Sequence, residues 1–173
     1  WNWKRKWLEN MEKTWVDEKK ELVVFEKLKQ LNIELPKAPD PVGAYVPFKK
    51  IANLLYISGQ LPIGPDGNIT KGKIGKDLTL EDGQKASKLC VINILAQASK
   101  AMNGNLDYIK NCIKITGFVN STDDFFDQPK VINPASETLS FLFGNKGKHT
   151  RAAISTNSLP LGAAVEIDAI FEI

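Results

Sequence analysis

No stretch of the chain approaches the run of about 20 apolar residues that a bilayer-spanning helix needs, and no short apolar segment precedes a small-residue cleavage site. Neither a membrane span nor a secretory signal is expected. Cysteine is scarce. Cys90 lies in an apolar run of helical period and Cys112 in a strand-like run, with neither metal-site nor redox-pair spacing, so both read as buried thiols. Charge of one sign is also missing: the signs are interspersed and the net charge is only +3. That leaves no electrostatic footprint for nucleic acid, which is not the expected partner. Histidine occurs once, at His149. With no Ser or Cys nucleophile placed with it, it reads as a rim or strand-end residue. No metal site is expected. The segment KGKIGKD (71–77) has two glycines among lysines but lacks Walker spacing and has no Ser or Thr directly after a lysine. It reads as a flexible surface loop.

The sequons Asn68-Ile69-Thr70 and Asn120-Ser121-Thr122 carry little weight without a secretory route. The expected location is the cytoplasm, or an organelle if a targeting segment preceded Trp1. Residues 1 to about 33 contain no Gly or Pro, are dense in Lys, Arg and Glu, and hold all four tryptophans. Trp3, Trp7, Met11 and Trp15 recur every four residues on one side of a helix. Leu22, Phe25, Leu28 and Leu31 continue an apolar stripe. The stripes are expected to dock on the domain or on a neighbouring subunit. Lys4-Arg5-Lys6 beside the tryptophans suggests a membrane-surface or partner helix, but Glu9, Glu12, Asp17 and Glu18 argue against the membrane. The expected division is a helical extension and linker over 1–37 and a globular domain over 38–173.

Pro36, Pro39 and Pro41 end the helical region. Tyr45–Phe48 and Asn53–Gly59 then read as strands, with a turn at Pro65–Asn68. Thr79 is a plausible N-cap for a long helix with Glu81 and Asp82 in its first turn, stopped by Asn103-Gly104-Asn105. Residues 109–119 read as a strand, Val131–Leu142 as a second helix, and HTRAAISTNSLPLGAAVEIDAIFEI as two closing strands. The order strand, strand, helix, strand, helix, strand, strand implies an α+β fold, one mixed sheet with two helices packed on one face. Its other face needs a cover, most simply further copies of the chain.

Arg151 and Glu166 stand out in the closing segment. A symmetric hairpin about Ser158-Leu159-Pro160 would set them opposite each other, side chains on one face. Ala152, Ile154, Val165, Ile167, Ala169 and Phe171 would then form the opposite, core-facing set. On residue type alone such a pair also reads as a structural ion pair. Tyr45 reads equally as a core or interface tyrosine, Ser58 as a strand-end turn residue and Asn133 as a helix cap.

Four separated segments resemble the reactive intermediate deaminase superfamily, also named YjgF-like or endoribonuclease L-PSP. They are Gly43-Ala44-Tyr45, Tyr56–Pro62 (YISGQLP), Val131–Glu137 (VINPASE) and Thr150–Ile167, the resemblance covering about residues 38–173. GKIGKDLTLEDGQKA, FFDQPKVIN and LPLGAAVEI further resemble a subgroup with a less clear physiological substrate. The resemblance implies a chorismate-mutase-like fold, a homotrimer with clefts between subunits, and hydrolysis of 2-imino acids to 2-oxo acids and ammonia without a cofactor. It assigns carboxylate binding to Arg151 and water handling to Glu166. Tyr45, Ser58 and Asn133 become the polar shell, and Gly59 supplies backbone contacts. Many such deaminases have a cysteine two residues after the arginine, where this chain has Ala153.

These roles suit the residue types. Arginine presents a planar fork for a carboxylate, and a carboxylate can act as general base toward a water aimed at the imine carbon. The rival expectations are a non-catalytic trimer that binds a small carboxylate metabolite, and ribonuclease or translation-inhibitor activity, which only the family's name suggests.

Overall fold

The computed structural model describes residues 5–6 and 23–173. Trp1, Trp3, Lys4, Trp7, Met11, Trp15 and Leu22 lie outside the described residues. The elements are α1 (residues 23–30), β1 (Phe48–Ile51), β2 (Leu54–Gln60), α2 (Leu80–Ala101), β3 (Asn111–Asn120), α3 (Gln128–Phe143), β4 (Thr150–Thr156) and β5 (Val165–Glu172). The expected α+β order is present. The first strand starts later than Tyr45, because Pro47 has no N–H for the ladder; its carbonyl instead accepts from Ser58 N at 3.0 Å.

The sheet order is β1-β2-β5-β3-β4. β4 pairs parallel to β3, whereas β5 runs antiparallel between β2 and β3. The expected β4–β5 hairpin therefore does not form. A hairpin needs only a short loop, but β3 and β4 are joined by a whole helix, and such a crossover allows them to lie parallel. β5 then returns to the centre of the sheet. Its residues alternate: Val165, Ile167, Ala169 and Phe171 are buried, and Glu166, Asp168, Ile170 and Glu172 are half-buried on the face without helices. Alternation of this kind marks a strand with one face in the core.

α2 and α3 cover the other face. Thr79 Oγ1 accepts from Asp82 N at 3.1 Å, and the Asp82 carboxylate accepts from Thr79 N at 2.9 Å, a capping box that fixes the start of α2. α3 contains Pro134, which cannot donate to the Lys130 carbonyl one turn back. Gln84 of α2 donates to that carbonyl at 3.0 Å, so the backbone defect becomes a tie between the helices. Cys90 and Cys112 are buried and free, as expected.

The described end of the N-terminal extension docks. Val24 and Leu28, one helical turn apart, join the core cluster with Ile33, whereas Phe25 is 53% exposed. The expected stripe thus holds at Leu28 and at Leu31, which packs partly buried against the core, but Val24 stands in the place expected of Phe25. Lys27 Nζ donates to the Leu142 carbonyl at 3.2 Å, placing a cation at the C-terminal end of α3. Full burial of one such aliphatic side chain stabilises by roughly 1.5–3 kcal/mol.

The Lys/Gly segment is anchored rather than loose. Ile74 is fully buried and bridges Ser121. Lys73 Nζ donates to Asn120 Oδ1 (2.9 Å), Ser121 O (3.3 Å) and Asn157 O (2.8 Å), tying the loop to the end of β3 and to the β4–β5 connection. Lys73→Met would leave Asn120 Oδ1 without that donor. The expected cost is roughly 1–3 kcal/mol, read as a lower urea midpoint at unchanged slope.

Candidate active site

β4 is an edge strand lying under α3. Arg151 is paired with Ile115 of β3, and Ile115 with Ala169 of β5. Directly paired residues share a face, and both partners are core residues, so Arg151 points to the helix side. Its Nη1 donates to Asn133 Oδ1 at 3.0 Å and to Ser136 Oγ at 3.2 Å, and Nη2 reaches the Pro129 carbonyl at 3.5 Å. Positions 129, 133 and 136 are spaced by four and three, one stripe of a helix. Asn133 is therefore a mid-helix acceptor rather than a cap; the N-cap of α3 is Asp127. All three groups on Arg151 are neutral oxygens, and among the described residues no carboxylate forms an ion pair with it.

Glu166 is three residues from Ala169 on an unbroken strand, so it faces the opposite way, paired with Phe118. The expected cross-strand pairing with Arg151 is absent: β3 stands between the two strands and the side chains leave opposite faces. Two strand spacings alone separate them by about 10 Å. Glu166 instead lies on Gly59, where an added Cβ would collide with its carboxylate. The contact arises at a bulge, three steps along β2 from Ile57 to Gln60 against two along β5 from Ala169 to Ile167. Burial first, and the Asp168 carboxylate on the same face second, push the Glu166 carboxyl above its usual value.

Ser58 Oγ donates to the Val46 carbonyl at 2.8 Å, and Tyr45 OH accepts from Val42 N at 3.4 Å. Tyr45 is 46% exposed and with Gly59, Gln60 and Gln97 lines a cleft of about 100 Å³. The chain therefore presents two separated groups, Arg151 with Asn133 on the helix side and Glu166 against Gly59 on the face without helices, and the Tyr45 cleft shares Gly59 with the second. Ala153 follows Arg151 on the helix side and packs partly buried against the core. Both thiols are buried, which pushes Cys112 up to about 12 and Cys90 well above the usual range, with Glu166 adding to the latter.

Residues 26–172 match the family described as "YjgF/chorismate_mutase-like, putative endoribonuclease". The chain belongs to this family. It is 38% identical over 151 residues to Protein TCP17 of Trypanosoma cruzi, covering 87% of this chain and 94% of that one. Among solved structures it is similar to the protein Atu1372 of Agrobacterium tumefaciens, at 44% identity and TM-score 0.83, covering 90% of this chain and 97% of that one. It is also similar to E. coli TdcF with bound serine, at 25% identity and TM-score 0.55, covering 79% and 94%. The YjgF-like fold thus accounts for the mixed sheet and both covering helices.

Sequence reasoning passed over Ser136, although it lies three residues after Asn133 and so on the same helical face. His149, expected as a rim or strand-end residue, does sit directly before β4, but it also bonds Ser136 at 2.9 Å. No helix among the described residues is long and apolar enough to cross a membrane.

The raised Glu166 value has a stability consequence. The folded chain holds this proton more tightly than the unfolded chain, so the contribution is full below the usual 4.5 and is lost as pH rises through the folded value. Glu166→Gln removes the penalised charge. Its melting temperature is expected to match the parent's below about pH 4 and to exceed it at neutral pH. A gap independent of pH would contradict this.

Proposed function

We propose that this YjgF-like chain hydrolyses reactive 2-imino or enamine acids to 2-oxo acids and ammonia, in a cleft formed between copies of the chain. The observation that carries the reading is Arg151, a half-buried guanidinium whose partners are all neutral oxygens. Its charge is left for an anionic ligand. TdcF, crystallised with serine, supports an amino- or oxo-acid carboxylate as that anion. Because Arg151 and Glu166 leave opposite faces of the sheet within one chain, the proposed site joins Arg151 and Asn133 of one copy to Glu166, Gly59, Ser58 and Tyr45 of the next, in a homotrimer.

The steps follow from these groups. Arg151 holds the carboxylate and thereby aims the adjacent C=N bond. With the imine nitrogen protonated, its carbon is electrophilic, and Glu166 takes a proton as water adds there. The carbinolamine formed has one C–O bond in place of the C=N π bond. Glu166 returns the proton to nitrogen, the C–N bond breaks as ammonia leaves, and the hydroxyl oxygen gives its proton to the Glu166 carboxylate as it becomes the 2-oxo group. A raised carboxyl value makes Glu166 the stronger base and so the better shuttle. Tyr45 and Ser58 hydroxyls can both donate and accept around the water. No step calls on a cofactor.

Bound serine in TdcF equally suits the second reading, a trimer that only binds a small carboxylate. Turnover decides between them. With 2-iminopropanoate and 2-iminobutanoate generated in situ, 2-oxo acid release is expected to accelerate. Arg151→Ala should lower kcat/KM by roughly 10- to 100-fold. Stable binding of pyruvate without acceleration would select the binding reading. RNA cleavage that survives both Arg151→Ala and Glu166→Ala would select the nuclease reading.

Shared sites predict complementation. When Arg151→Ala and Glu166→Gln proteins are unfolded, mixed equally and refolded together, about a quarter of the sites should pair an intact arginine with an intact glutamate. Activity should then return to about that fraction. Recovery no greater than the sum of the two variants would place both residues' work within one protomer.

A further inference from the structure

Ser136 and His149 form a chain behind Arg151. His149 Nδ1 lies 2.6 Å from the Gly147 carbonyl, and Nε2 lies 2.9 Å from Ser136 Oγ. A carbonyl can only accept, so Nδ1 carries a proton and donates. In the neutral ring Nε2 is then the acceptor, and the Ser136 hydroxyl must donate to it. That leaves the lone pairs of Ser136 Oγ toward Arg151 Nη1, which donates to it at 3.2 Å. With the ring neutral, donation runs from Arg151 to Ser136 to His149 Nε2, and from His149 Nδ1 to Gly147.

The far end of this chain is rigid. Gly147 lies so close to α3 that an added Cβ would collide with the Leu139 carbonyl, so the Gly147 carbonyl is set by the helix backbone itself. Leu139 and Ser136 are one turn apart on α3. The same helix thus clamps the chain at both ends, and the imidazole between them orients the hydroxyl.

The consequence lies in how the guanidinium is occupied. Nη1 has two N–H groups, and both are used, on Asn133 Oδ1 and Ser136 Oγ. Nη2 has only the long contact to Pro129 O at 3.5 Å, and among the described residues nothing accepts from Nε. A carboxylate needs two parallel N–H groups. The pair still open is Nε–H with the adjacent Nη2–H.

We propose that Ser136 and His149 are positioning residues that hold Arg151 by Nη1, so that the substrate carboxylate is received side-on by the Nε–Nη2 edge. This deepens the deaminase reading and rests on it for the identity of the anion. The hydroxyl does not touch the substrate, and the imidazole acts only through the hydroxyl. Since the carboxylate is held alike in the ground and transition states, losing the clamp weakens binding without slowing the bound reaction.

The test compares Ser136→Ala, His149→Leu and His149→Gln with Arg151→Ala in the full chain, reading KM and kcat for 2-iminopropanoate and, separately, pyruvate affinity by calorimetry. Ser136→Ala and His149→Leu are expected to raise KM and the pyruvate Kd by roughly five- to tenfold with kcat within about twofold. His149→Gln can still present an acceptor to the Ser136 hydroxyl and should restore both to within about twofold of the parent. Parent-like KM and pyruvate Kd in Ser136→Ala and His149→Leu, with both lost in Arg151→Ala, would overturn the clamp and leave the deaminase reading standing. A fall in kcat at unchanged KM would overturn it too. Arg151→Ala indistinguishable from the parent would remove the carboxylate anchor and both proposals together. If His149→Leu fails to fold, Ser136→Ala, which loses only a hydroxyl oxygen, decides the matter alone.

Discussion

The parallel pairing of β4 with β3 is the constraint on which the site depends. A strand that follows a helix crossover can lie parallel to its predecessor, and here α3 makes that crossover over the face it covers. β4 is thereby carried to the sheet edge with Arg151 turned under α3, within reach of a polar stripe at Pro129, Asn133 and Ser136. β5 then fills the gap between β2 and β3, which places Glu166 beside the β2 bulge at Gly59. The positions of the two charged residues are consequences of chain order rather than of any attraction between them.

Close approach does much of the fixing. Gly117 of β3 and Gly147 before β4 both lie where a Cβ would collide with α3, at Ile132 and at the Leu139 carbonyl. The helix can thus sit low on the strands, near enough for a side chain on the edge strand to be hydrogen-bonded by helix side chains. At the C-terminal ends of β3 and β4, Lys73 ties the loop before α2 to Asn120, Ser121 and Asn157. Bonded to three oxygens, that lysine is committed to architecture, which is why this segment of glycines and lysines is anchored rather than a loose surface loop.

Much of this fold could be read from the chain, and the reasons for the failures are specific. Thr79 with Asp82 announces the start of α2 because capping is local. The alternation Val165, Ile167, Ala169, Phe171 announces a one-sided strand because burial follows parity. What failed was pairing. The loop at Ser158-Leu159-Pro160 is short enough for a hairpin, and nothing within β4 or β5 reveals that β3 will stand between them. Parity was then assigned to β4 by assuming that partner, which turned Arg151 to the wrong face. Arg151 and Glu166 stand out by residue type and parity, whereas Tyr45, Ser58, Gly59 and Asn133 come from the family resemblance, and the grouping of any of them needs the sheet order. Ser136 was visible at one remove, three residues beyond Asn133, but Gly147's part required knowing that the turn rests on α3.

The separation of Arg151 from Glu166 within a protomer is itself favourable to the proposed chemistry. Had the hairpin formed, the guanidinium would have lain against the carboxylate in every protomer. An adjacent cation stabilises the ionised acid and lowers its proton affinity, and the pair would satisfy each other's hydrogen bonds. The anion site would then be filled from within, and the base would be weak. Instead Arg151 rests on neutral oxygens with no carboxylate partner among the described residues, while burial first and the Asp168 carboxylate second raise the proton affinity of Glu166, which lies on Gly59. A reaction that must both bind an anion and shuttle a proton gains from keeping these two groups apart until a substrate stands between them. In a mixed sheet that sends them to opposite faces, the proposed reading therefore calls on a second copy of the chain to bring them to the same substrate.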